Sequence, residues 1–170
     1  MSLKMKLRKL EKQDARRMLE WMHNPQTTEH LKANFAAKKL EDCLAFIETA
    51  QTDPENLHLA VSDEEGKYLG TVSLKDINRQ QKTAEFAITM HPDACGTGAS
   101  QWGMREILRY GLQTEGLETI YWCVSPENKR AVAFYDHSGY ERTKEVPSRF
   151  LNHYADGQPY IWYRYPAAHA

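Results

Sequence analysis

A chain of 170 residues with 41% hydrophobic and 26% charged side chains has room for one enclosed core, and a single domain is expected. The formal net charge of −1 excludes the basic field that gathers nucleic acid or an anionic membrane surface. No apolar run reaches bilayer-spanning length, the start lacks the apolar stretch of a signal peptide, and Cys43, Cys95 and Cys123 have no metal-ligand spacing. Together these point to a cytoplasmic protein with reduced thiols and no metal. Met1-Ser2-Leu3 ahead of Lys4 reads as an expression-vector remnant.

Met5 to Leu10 is predicted as a first strand, followed by a helix over Ala15 to Met22 with Asp14 as its N-cap. His23-Asn24-Pro25 closes that helix, because proline disfavours helical geometry in the residue before it. Thr27 to Leu31 is expected as a short second helix. Lys39 to Ala50 carries apolar residues at Leu40, Cys43, Leu44 and Ile47, the spacing of one helix face. Leu57 to Ser62 and Tyr68 to Leu74 read as strands of a hairpin around Asp63-Glu64-Glu65-Gly66. Ile77 to Gln81 is expected to turn the chain into a strand over Thr83 to Met90. A helix is predicted over Gln101 to Gln113, a strand over Thr119 to Val124, and a helix over Asn128 to Ser138 closed by Gly139. Thr143 to Pro147 and Tyr160 to Tyr165 are the last expected strands. The alternation of strands and helices in the second half requires an α/β sheet with at least one parallel pair, and the hairpins make the rest antiparallel.

The segment Cys95-Gly96-Thr97-Gly98-Ala99-Ser100 joins a strand to a helix start. Unpaired N–H groups and the helix dipole favour an anion there, and glycines let the main chain approach a phosphate. The loop lacks the GxGxxG spacing of a dinucleotide site and the Gly-Lys-Ser/Thr of a P-loop. Two glycines in a plain turn would look the same.

Three further segments give the loop its setting. They are Gly70-Thr71-Val72-Ser73-Leu74-Lys75-Asp76-Ile77, Ala84-Glu85-Phe86-Ala87-Ile88, and the run from Asn128 through Ala131 and Tyr135 to Gly139-Tyr140. In order and spacing the chain resembles a GNAT-superfamily N-acetyltransferase over almost its whole length. The likeness is to the subgroup of ribosomal-protein N-terminal, spermidine and nucleotide-amino-sugar acetyltransferases. It implies a mixed, mostly antiparallel sheet with a splayed parallel strand pair, often at a bulge, flanked by helices. It also implies acetyl-CoA as co-substrate, with its pyrophosphate on the loop Cys95 to Ser100. Two positions depart from the family pattern Arg/Gln-x-x-Gly-x-Gly/Ala: Cys95 stands for Arg or Gln, and Ser100 for a smaller residue.

Amide formation from a thioester requires a neutral amine, a polarised carbonyl and a protonated leaving thiolate. An alkylamine is mostly protonated at pH 7, so a base or a water chain is useful. Glu85 interrupts an apolar strand and therefore reads as facing a cleft, or else as the polar face of an alternating strand. The resemblance implies an acid on this strand that acts through water. His23, His30, His58 and His91 are not ranked by sequence. Tyr135 is the candidate acid for the CoA thiolate by resemblance, with core packing as its alternative. Asn128 reads as an N-cap, and by resemblance also as a contact to the pantetheine arm. The resemblance singles out Ile88 and Met90 for their backbone groups, which would pair with pantetheine amides as a pseudo-strand. A nearby N–H would polarise the acetyl carbonyl.

The first half should form the acceptor wall, with Trp21 as a candidate contact or simply a core residue. The segments Glu20 to Pro25 and Leu40 to Ile47 resemble those of acetyltransferases acting on nucleotide-linked amino sugars, which implies such a small-molecule amine as acceptor, with a protein N-terminus or a polyamine as the alternative. The tail aromatics Phe150, Tyr154, Tyr160, Trp162 and Tyr163, with His153, read as a stacking surface, as strand packing or as a homodimer face. A covalent relay through Cys95 or Cys123, and a catalytically weak CoA-binding module, are the mechanistic rivals.

Overall fold

The computed structural model describes residues 4–167 apart from 30 and 32. Met1 to Leu3 and His30 therefore lie outside the described residues. Among the described residues seven strands pair into one sheet: β1 (Met5–Lys9), β2 (Leu57–Asp63), β3 (Tyr68–Asn78), β4 (Thr83–Met90), β5 (Thr119–Val124), β6 (Glu141–Arg142) and β7 (Ile161–Tyr165). Their order is β1-β2-β3-β4-β5-β7-β6, and β4 with β5 is the parallel pair. The helices are α1 (Ala15–Met22), α2 (Pro25–Thr28), α3 (Leu40–Ala50), α4 (Ala99–Gln113), α5 (Lys129–His137) and α6 (Ser148–Asn152). Among the described residues no helix is long and apolar enough to cross a membrane.

Strand alternation divides the core between two faces. Val61, Val72, Leu74, Ala84, Phe86 and Ile120 pack against Met104, Ile107 and Leu108 of α4. Ala60 and Tyr68 instead meet Met18 and Trp21 of α1 and Cys43 and Ile47 of α3. Helix α4 lies close to the sheet because glycine occupies its contact points. A Cβ on Gly103 would come within 2.7 Å of Val61 Cγ2, and one on Gly111 within 2.8 Å of Ile120 Cδ1. This close packing holds the N-terminus of α4 at the end of β4.

Several boundaries differ from expectation. Asp14 does not cap α1: the chain enters that helix through a 3-10 turn over Lys12–Asp14, so Asp14 is already helical (φ −74°, ψ −19°). Its buried carboxylate accepts the Glu11 N–H at 2.8 Å and pairs with both terminal nitrogens of Arg8. Helix α2 begins at Pro25, with Asn24 Oδ1 accepting the Gln26 N–H, and ends at Thr28, before the expected span closes. Strand β3 runs on through Ile77 to Asn78, past the expected turn. The strand expected over Thr143 to Pro147 is absent: β6 is two residues long, Thr143 to Pro147 is irregular, and α6 follows from Ser148. Phe150 explains this, since it is fully buried with its ring 5.7 Å from Tyr121, a contact no local pattern announces.

Candidate active site

The parallel pair β4 and β5 is joined only at Thr83↔Thr119, Ala84↔Ile120 and Glu85↔Tyr121. Beyond Glu85 the two strands part. The ladder between β3 and β4 then determines which backbone groups face the gap. The His91 N–H donates to Leu69 O at 2.8 Å, so Leu69 and His91 form a hydrogen-bonded pair. Antiparallel ladders alternate, which makes Thr71↔Thr89 and Ser73↔Ala87 hydrogen-bonded pairs and leaves Val72↔Ile88 and Gly70↔Met90 non-bonded. The N–H and C=O groups of Ile88 and Met90 therefore point away from β3, toward the gap. The expected bulge is not on this stretch of β4, whose register with β3 is unbroken from Glu85 to Met90. It lies on β3 between Lys75 and Asn78, where Asp76 has φ +51°.

The loop after β4 has spare donors. Gly96 (φ +78°) and Gly98 (φ +81°) take left-handed conformations that L side chains rarely adopt. Cys95 and Thr97 donate their N–H groups to Pro92 O and Ala94 O, and Ala99 donates to Thr97 Oγ1. The N–H groups of Gly96, Gly98, Ser100 and Gln101 have no partner among the described residues. Four donors at the N-terminus of a 15-residue helix make a preformed anion cradle. Cys95 is exposed, and Arg130 of α5 brings Nη2 to within 3.6 Å of its Sγ. A guanidinium thus reaches the loop beside the position where sequence puts a cysteine.

A cleft of ≈ 550 Å³ runs through the gap. Glu85, Ile88, Asn128, Tyr135 and Trp21 all line it, whereas Met90 and the loop from Cys95 to Ser100 lie outside its lining. A second cavity of ≈ 560 Å³ beside β1 and α4 shares with it only His58 and contains none of the other candidate residues.

Glu85 is 2% exposed at the apex of the splay, on the face opposite Phe86. The Tyr154 hydroxyl donates to its Oε2. Burial and the Glu85 carboxylate hold the Tyr154 phenol far above its ordinary range, so it remains a donor. On the other wall Tyr135 packs its ring 5.7 Å from Trp122 and 5.1 Å from Tyr163. Burial, reinforced by Tyr163, also pushes its phenol up, which keeps it protonated. Asn128 Oδ1 caps α5 by accepting the Ala131 N–H at 3.2 Å. Trp21 is mostly core: it is buried, donates Nε1–H to the Tyr68 hydroxyl at 3.0 Å, and shows one edge to the cleft. Trp122 Nε1 is buried without a partner among the described residues.

The histidines separate on geometry. His91 is structural: Nδ1 accepts the Asp93 N–H and Nε2 meets Glu20 at 2.8 Å. His23 Nε2 bonds Lys38 O at 2.7 Å. His58 lines the cleft beside Ser73 Oγ, at 2.6 Å from Nδ1. Burial, with Lys75 adding to it, pushes His58 down to about 4. The unfolded chain, with histidine near 6.5, therefore binds a proton first as pH falls. Between about pH 6.5 and 4 this group alone should cost up to about 2–3 kcal/mol of stability. Urea titrations at pH 7 and pH 4.5 check it: His58→Asn should flatten the acid loss, and an unchanged loss would place its origin elsewhere.

Of the tail aromatics, Phe150, Trp162 and Tyr163 are buried packing, whereas Tyr154 and Tyr160 line the cleft. The sequence did not pair Tyr154 or His153 with Glu85. They are 69 and 68 residues apart in the chain, with no motif linking them.

A family model described as "Acetyltransferase (GNAT) domain" matches residues 4–141. The chain belongs to the GNAT acetyltransferase family. A spermidine N(1)-acetyltransferase of Vibrio cholerae is 27% identical over 159 residues, covering 89% of this chain and 88% of that protein. The acetyltransferase PseH of Campylobacter jejuni is 22% identical over 129 residues, covering 76% and 78%. Among solved structures, the spermidine N-acetyltransferase from Vibrio cholerae in complex with CoA and spermine shares the fold, with TM-score 0.75 and 22% identity over 95% of this chain and 93% of that one. Within this GNAT acetyltransferase the family match ends at residue 141, ahead of α6 and the His153-Tyr154 pair.

Proposed function

We propose that this acetyltransferase moves an acetyl group from acetyl-CoA to the primary amine of a small acceptor by direct attack in a ternary complex. One observation carries the reading: a buried carboxylate and a buried phenol line the same cleft, at the point where the β4 ladder is left open. The donors present fit the co-substrate. Gly96, Gly98, Ser100 and Gln101 hold the pyrophosphate through backbone N–H groups, with Thr97 and Ala99 shaping the loop. Ile88 and Met90 pair with the pantetheine amides, and Asn128 supplies its side-chain amide. Glu85 takes the ammonium proton through a water. The Ile88 backbone N–H polarises the carbonyl, and Tyr135 protonates the leaving thiolate.

The acceptor proposed is a nucleotide-linked amino sugar. Among the described residues, the two carboxylates lining the cleft, Asp42 and Glu85, are matched by Lys38 and Lys75. Both carboxylates are also engaged, Asp42 by the Lys39 N–H and Glu85 by Tyr154. A polyamine with several charges wants an acidic excess, whereas a nucleotide sugar wants cations and aromatic faces such as Trp21, Phe35, Tyr154 and Tyr160. The relatives' names favour the polyamine, so both belong in one assay. CoA release is measured against amino-sugar nucleotides, polyamines and peptides with free N-termini. Turnover confined to the first pool is expected. Turnover with spermidine alone would replace the acceptor, and no turnover with a raised melting temperature in acetyl-CoA would leave a CoA-binding module.

Arg130 should contribute to cofactor affinity in place of the family's residue at position 95. Arg130→Ala is expected to weaken acetyl-CoA binding about threefold to tenfold, most at low salt. Cys95→Arg in that background should restore it; calorimetry on the single and double variants checks both, and unchanged binding in Arg130→Ala would make the Arg130–Cys95 contact incidental.

A further inference from the structure

Acetylating a protonated amine releases one proton per turnover, and Glu85 is nearly sealed from solvent. Once both substrates fill the cleft, that proton needs a route that does not pass through them. The structure offers one on the far side of Glu85. His153, which directly follows α6, places Nδ1 3.9 Å from Glu85 Oε1 and 3.2 Å from Asp76 Oδ2, and its side chain is 50% exposed. Tyr154 holds the other carboxylate oxygen, Oε2, so Oε1 is the one turned toward the imidazole.

The backbone at Asp76 supports a built arrangement. Its φ of +51° is a conformation that non-glycine residues rarely adopt, and it is pinned from three sides. Asn56 Oδ1 accepts the Asp76 N–H at 3.0 Å, Arg149 Nη1 donates to Asp76 O at 2.6 Å, and the next N–H, of Ile77, donates to Glu55 O at 2.8 Å. The result is a carboxylate presented to His153 near the C-terminal end of β3. Asp76, Glu85 and His153 are close enough to share a cation. Arg149, whose charge interacts with both carboxylates, already supplies positive charge there, which favours a proton path over a bound metal ion.

We propose that His153, oriented by Asp76, carries the substrate proton from Glu85 to bulk water. This rests on Glu85 being the base. The amine gives its proton through water to Glu85 Oε1. Glu85 passes it to the unprotonated Nδ1 of His153, and the imidazolium, stabilised by Asp76, loses the proton on Nε2 to solvent; exchange of the Nδ1 proton for one on Nε2 through water at the half-exposed ring then restores the starting tautomer. Glu85 returns to carboxylate and His153 to neutral imidazole, so no charge accumulates. The charged groups around the relay include Asp76 on β3 and Glu85 on β4, both facing His153, and Arg149 on α6, which interacts with both carboxylates. His153 is a positioning and relay residue, since it touches neither substrate.

The test compares His153→Ala, Asp76→Asn and Glu85→Gln with the unmodified enzyme, using CoA release with the acceptor pool that turns over. His153→Ala should lower kcat about tenfold with the KM for acetyl-CoA unchanged, and imidazole added to the buffer should restore it in proportion to its free-base concentration. Asp76→Asn should lower kcat about threefold and respond less to imidazole, because His153 is still present. Unchanged kcat in His153→Ala overturns the relay, as does a loss that imidazole does not repair, which would mark a structural role. An active Glu85→Gln overturns the base assignment beneath it. An inactive Glu85→Gln beside a fully active His153→Ala sinks the relay alone, and silence of every pool with the unmodified enzyme removes both.

Discussion

Glu85→Gln should lower kcat by about 10²- to 10³-fold at pH 7 while the protein folds normally. Glutamine has the same shape, and its Oε1 still accepts the Tyr154 hydroxyl, so the buried contact survives. What it cannot do is take a proton. The variant then depends on amine that is already neutral in solution, about one part in a thousand at pH 7 for an alkylamine. That fraction grows about tenfold per pH unit up to the amine's own pKa near 10. The loss should therefore be largest at low pH and shrink as pH rises, giving a rate that climbs with a slope near one. Profiles of kcat from pH 6 to pH 9 at saturating acetyl-CoA measure it. A variant with normal turnover and an unshifted profile removes Glu85 as the base.

Tyr135→Phe should cost about 10²-fold in kcat and leave acetyl-CoA affinity within about twofold. The ring stays packed against Trp122 and Tyr163, so the wall of the cleft keeps its shape. Only the hydroxyl goes, and with it the proton for the leaving thiolate. Tyr135 is a buried residue that lines the cleft, and no side-chain hydrogen bond holds its hydroxyl among the described residues. Deleting it should leave stability unchanged or raise it by up to about 1 kcal/mol. Loss of turnover with a steady or higher melting temperature is thus the expected signature, and it separates a proton donor from a packing residue. Full turnover in Tyr135→Phe would leave packing as its whole role.

The parts of this protein legible in its sequence are those whose physics is local. Strand β4 alternates Ala84 and Phe86 with Glu85, and β5 is a continuous apolar run; both match their expected spans. The glycines of the loop, the Asn128 cap and the α5 face bearing Tyr135 are likewise set by neighbours within a few residues. Local signals fail where a long-range contact decides. Asp14 reads as a cap, yet Arg8 and the turn before α1 claim its carboxylate. Thr143 to Pro147 reads as a strand, yet it is irregular and leads into α6, whose Phe150 is buried near Tyr121.

The composition of the site follows the same division. Sequence alone determined that the glycine loop Cys95 to Ser100, a strand glutamate and a helix tyrosine belong to one enzyme family's pattern. Tertiary structure decided where the strands part and which backbone groups face the opening, because the pairing of β3, β4 and β5 is set by register across the sheet. It also brought Arg130 to Cys95, and Tyr154, His153 and Asp76 to Glu85. Arg130, His153 and Tyr154 lie far from these partners in the chain, and the packing of α5 and α6 on the sheet brings them close, a constraint that no local periodicity or capping preference can express.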